Sequence, residues 1–109
     1  MTHNEGMALE NPLKATTIGE LCGSIRNREG ITQTDMGKLI GVTRNTITRT
    51  EMGMIERPYD YLSYILKWMS DKETAHMLEL LRAIDLKHLY NARLELATGP
   101  SQKQDNSQT

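Results

Sequence analysis

Arg44, Asn45, Thr48 and Arg49 stand close together, at spacings that bring them to one side of a helix. Their side chains are the types needed to read base edges in the major groove of B-DNA. Arg can grip guanine with two parallel hydrogen bonds, and Asn can do the same to adenine. Thr offers a methyl group to thymine or a hydroxyl to phosphate. Thr43 and Thr46, in the same stretch, carry hydroxyls that can reach phosphate oxygens. The bland reading of such arginines is a solvated helix face, and a helical Thr can simply bond back to its own backbone. The elements around these residues decide between the two.

Two short helical patterns adjoin them. Thr32-Gln33-Thr34-Asp35 is a capping box with Asp in the acidic place, and it opens a helix that buries Met36, Leu39 and Ile40. Gly41 ends that helix, and Thr43 caps the next, which runs to about Met52 with Ile47 inward. A glycine at the junction can adopt positive φ, so the chain turns sharply and the helices cross steeply. Val42 points inward and pins the turn. Arg44, Asn45, Thr48 and Arg49 are left on the outer face. A helix-turn-helix presents its second helix to the major groove, with the N-terminal half against the bases.

Competing chemistries fit poorly. Gly30 to Lys38 contains Gly-x6-Gly-Lys, whereas a phosphate loop needs Gly-x4-Gly-Lys-Ser/Thr after a strand. His3, His76 and His88 lack metal-ligand spacing, so no metal and no cofactor is expected. Cys22 lies on the apolar stripe Ile18, Leu21, Cys22, Ile25 and reads as a core residue. No enzyme is expected.

The rest of the chain reads as helix with polar ends. A first helix spans about Thr17 to Glu29 and stops at Gly30. A fourth, Tyr59 to Met69, follows a loop from Gly53 to Pro58. Ser70-Asp71-Lys72-Glu73 is a full capping box that starts a fifth, reaching about Ala97 with a break near Asp85. Residues 1–15 form an N-terminal arm, 16–70 the helix-turn-helix domain, 71–97 a helical extension and 98–109 a polar tail, with both ends mobile. The chain of 109 residues is 38% hydrophobic and carries no Phe, which calls for an aliphatic core. Its net charge of −1 alone disfavours a nucleic-acid partner. The distribution is more telling: Lys14 to Arg57 holds seven basic against five acidic residues, and Asp60 to Glu95 five against six. A lone cysteine fits a reducing cytoplasm, and no apolar run is long enough to span a membrane. Met1 to Gly6 lacks the order of a signal peptide.

Residues 18–69 resemble the Cro/repressor, or Xre, family of helix-turn-helix domains. The resemblance is carried by Gln33 to Gly53, QTDMGKLIGVTRNTITRTEMG. Gly41-Val42-Thr43 matches the family's turn, Thr46-Ile47 its recognition-helix pair, and Glu51-Met52-Gly53 with Pro58 its exit into the fourth helix. Gly37 departs from the usual Ala, and Thr50 stands where an aromatic residue is common. The resemblance implies an all-α, five-helix, lambda-repressor-like DNA-binding domain with a helical C-terminal extension. It also implies that Gln33 and Arg57 contact phosphate.

Met77, Leu78, Leu81, Leu89 and Tyr90 belong to an apolar set larger than a small domain needs on one side, and are expected to form a homodimer contact, with part of the set packing back on the first and fourth helices. The reading is then a dimeric, sequence-specific repressor of its own or a neighbouring operon, bound to a palindromic double-stranded operator. An antitoxin that neutralises a toxin protein and autoregulates its operon is the alternative. The polar tail would be its toxin-binding segment, although it lacks hydrophobic anchors.

Overall fold

Threonines begin three of the helices. Thr17, Thr32 and Thr43 are extended in backbone, and their hydroxyls accept from the amides of Glu20, Asp35 and Thr46 at 3.1, 3.1 and 3.2 Å. Each such cap satisfies an otherwise orphaned amide and contributes about 1 kcal/mol. The computed structural model describes residues 10–98 and shows an all-α fold. Its helices are α1 (Ile18–Arg28), α2 (Gln33–Ile40), α3 (Arg44–Glu51), α4 (Tyr59–Ile65) and α5 (Asp71–Thr98). Short 3-10 turns cover Pro12–Lys14 and Leu66–Trp68. Ser70 and Glu73 form the full capping box: the Ser70 hydroxyl accepts from the Glu73 amide at 3.1 Å, and the Glu73 carboxylate from the Ser70 amide at 3.0 Å. Among the described residues, no helix is long and apolar enough to cross a membrane.

The core gathers around α1. Leu21, Cys22 and Ile25 are fully buried against Met36 of α2, Ile47 of α3 and Ile65 of α4. Burial pushes the Cys22 thiol far up, and the Glu51 carboxylate adds to the shift, so the thiolate that a nucleophile needs is strongly disfavoured.

Several expectations need correcting. Residues 10–15 are not a loose arm: Asn11 caps the first 3-10 turn, and Pro12 and Ala15 are buried. Leu39 is exposed rather than part of the buried face of α2. The fourth helix ends at Ile65 and tightens into the 3-10 turn, while α5 runs through Asp85 without a break. Met77 is only 6% exposed and belongs to the core of its own chain, and Leu81 packs partly against that core. Met77 therefore does not offer its face to a second chain, because the first half of α5 packs on α1 and on the 3-10 turn at Pro12–Lys14. Leu78, Leu89 and Tyr90 stay exposed. The tail assignments for residues 1–9 and 99–109 fall outside the described residues.

Candidate nucleic-acid interface

The junction of α2 and α3 is set by backbone contact. Gly41 has φ +90° and ψ 30°, and its amide donates to the Gly37 carbonyl at 2.7 Å. The Val42 amide reaches the same carbonyl at 2.8 Å. A Cβ on Gly37 would lie 2.6 Å from the Val42 carbonyl oxygen, so there is no space for an alanine here. The missing side chain at Gly37 allows this close approach of α3 to α2.

That approach orients α3. Ile47 and Thr50 are buried, with the Thr50 hydroxyl donating to the Thr46 carbonyl at 2.8 Å. Arg44, Asn45 and Arg49 are exposed on the other side, and Thr48 is half-buried at its edge. The side chains of Arg44, Asn45 and Arg49 make no hydrogen bond or ion pair among the described residues. Two cations and an amide thus face outward together on a short, well-anchored helix.

The phosphate-contact candidates are less uniform. Thr43 and Thr46 sit at the start of α3 with their hydroxyls 3.1 Å apart. Gln33, at the start of α2, is held at both ends of its amide. Its Nε2 donates to Glu51 Oε1 at 3.0 Å, and its Oε1 accepts from the Thr48 hydroxyl at 3.1 Å. The carboxylate fixes the amide orientation, because an amide oxygen turned toward it would repel. The second N–H of Gln33 has a defined direction in which to meet an anion. Thr48 has one proton and two acceptors, Gln33 Oε1 and the Arg44 carbonyl at 3.1 Å. A hydroxyl shared in this way can also accept from a ligand.

Glu51 holds the arrangement from below, and neither it nor Arg26 is prominent in the sequence as a functional position. Arg26 Nε donates to Glu51 Oε2 at 2.7 Å and Arg26 NH2 to Glu51 Oε1 at 3.0 Å. Arg26 NH1 donates to the Ile31 carbonyl at 2.7 Å, and the Tyr61 hydroxyl donates to Glu51 Oε2. Burial, then the Glu51 charge, pushes the Tyr61 phenol far up, so it remains a neutral donor. One carboxylate therefore joins α1, α2, α3 and α4. The available signal was a charged residue, Arg26, one turn beyond Cys22 on the apolar stripe of α1.

Arg57 is engaged as well as partly open to solvent: it pairs with Asp85 of α5. Beside it, Glu56 accepts from His88 Nε2 at 2.8 Å and lies 3.5 Å from Lys87 Nζ. A phosphate contact by Arg57 requires it to leave Asp85, which is 64% exposed. Replacing Asp85 by Ala is expected to strengthen DNA binding several-fold and to steepen its salt dependence by about one counterion. Fluorescence anisotropy across a salt series checks this. Adding Arg57→Ala should abolish the gain, and a gain that survives would place Arg57 away from the DNA.

Comparison with protein-family models, with curated proteins and with solved structures finds no match.

Proposed function

We propose that this protein is a sequence-specific DNA-binding regulator of the helix-turn-helix type, similar to Cro/repressor domains. It acts in the cytoplasm as a dimeric repressor on a palindromic operator. The observation that carries the reading is the outer face of α3, where Arg44, Asn45 and Arg49 are exposed and their side chains find no partner among the described residues. A solvated surface helix needs no such anchoring. Here a close backbone approach at Gly37 and a buried ion pair beneath hold α3 rigidly, as base reading requires.

In this reading Arg44, Asn45, Thr48 and Arg49 read bases. Gln33, Thr43, Thr46 and, once released from Asp85, Arg57 contact phosphate. One short helix reads too few base pairs to single out a site. Two copies about 34–36 Å apart meet successive major grooves on one face of the duplex. Joining them raises affinity through effective concentration, without further DNA contacts.

Selection of bound duplexes from a random pool, with the full chain, tests the reading. The expected outcome is a palindromic consensus whose half-sites are centred about one helical turn apart. Recovery of no consensus, or of one unbroken short site, would contradict it.

A further inference from the structure

The apolar residues of α5 change sides along its length. At about 100° per residue, Met77, Leu80, Leu81 and Ile84 share the side that packs on the core. Leu78, Leu86, Leu89, Tyr90 and Leu96 fall on the opposite side, and all are exposed. Residues 85–97 are exposed throughout, and beyond His88, which pairs with Glu56, the helix projects roughly 14 Å. Its outward face carries Glu79, Arg82 and Arg93 between the apolar positions, and none of the three makes an ion pair among the described residues.

We propose that this outward face of α5 is the contact surface for a second copy of the chain, paired antiparallel with Leu86 at the two-fold axis. The proposal deepens the dimeric part of the proposed function and rests on it. Charge selects the arrangement. In a parallel, in-register pair every residue meets its own copy, so Glu79, Arg82 and Arg93 would each face a like charge. An antiparallel pair with Leu86 against Leu89 of the second copy sets Arg82 against Arg93. With Leu86 on the axis, Glu79 of one chain meets Arg93 of the other, and Arg82 meets the Tyr90 ring, where a cation–π contact is available. Leu86 then packs on itself. The globular part of each chain lies on the far side of its own α5, so the approach is unobstructed.

Cross-linking of single-cysteine additions to the full chain tests this, since Cys22 is fully buried. A disulfide needs Cα atoms about 4.4–6.8 Å apart. Leu86→Cys protein is expected to form a covalent dimer under oxidised glutathione at micromolar concentration. Leu96→Cys should not, because antiparallel pairing separates the two copies of that residue by about 30 Å. Glu79→Arg should weaken the dimer at least tenfold by sedimentation, and adding Arg93→Glu should restore it. Equal cross-linking at both positions would mean a parallel pair and overturn the proposal. A wild-type dimer with no cross-link at Leu86→Cys would overturn this surface and leave the dimeric reading standing. A wild-type monomer would overturn both, without touching the DNA-binding assignment, which is read separately from duplex binding.

Discussion

Arg26→Met protein is expected to be less stable than wild type by about 3–5 kcal/mol, the usual cost of breaking a buried ion pair from one side. Arg26 is 1% exposed and makes two hydrogen bonds to Glu51 and one to the Ile31 carbonyl. Without it, the Glu51 carboxylate keeps Gln33 and Tyr61 as its donors among the described residues, and the Ile31 carbonyl loses a partner. The loss is large because the charge left behind is unpaired, not because the pair itself contributes that much. The double variant Arg26→Met/Glu51→Leu should therefore lose less than the sum of the two single variants. Urea unfolding measures all three. A loss below about 1 kcal/mol for Arg26→Met would show that Glu51 reaches water and that the pair behaves like a surface one. The same variants carry a functional readout. Glu51→Leu frees the Gln33 amide, so phosphate contact should weaken even in molecules that remain folded.

Gly19→Ala is expected to destabilise the protein by about 1–3 kcal/mol, against the gain that alanine normally brings to a helix interior. A Cβ there would stand 2.4 Å from the Thr50 carbonyl oxygen and 2.7 Å from that of Glu51. Both atoms are backbone at the end of α3 and have no rotamer by which to move aside. Either α1 and α3 separate, or α3 tilts and carries Arg44 and Arg49 with it. Thermal melting together with duplex affinity checks this, and both should fall. Gly23→Ala is the control: its Cβ would meet Glu51 Oε1 at 3.1 Å, a side-chain atom, so a smaller loss is expected. A Gly19→Ala protein with an unchanged melting temperature and unchanged affinity would mean that the α1–α3 contact is not close.

What was legible in the sequence is what local chemistry determines. The threonine caps, the Ser70-to-Glu73 box, the Gly41 turn and the outward set on α3 each follow from residues within one or two turns of each other. The Glu51 hub was not legible, because Arg26 and Glu51 are 25 positions apart and nothing local demands their meeting. The same holds for Gly19, whose small size matters only because α3 passes over it. Met77 was misplaced for a related reason. The apolar residues of α5 outnumber those of one helical face, and composition alone does not show that they divide between two opposite sides. Pro12 and Ala15 look like tail residues until the chain ahead of α1 is seen folding back against the domain.

The most direct test of DNA reading by α3 is the affinity of wild-type and Arg44→Ala/Arg49→Ala proteins for the selected duplex, measured by anisotropy over a salt series. Neither arginine is buried, and neither is paired among the described residues, so the variant should melt with the wild type and any change can be assigned to the interface. Wild-type affinity is expected to fall steeply as salt rises, because each neutralised phosphate releases counterions. The double variant should lose about 2–6 kcal/mol of binding, since each arginine contact to a base carries about 1–3 kcal/mol. It should also bind selected and scrambled duplexes more nearly alike. Wild-type binding that ignores salt, or a double variant that still prefers the selected duplex with undiminished affinity, would contradict DNA reading by α3.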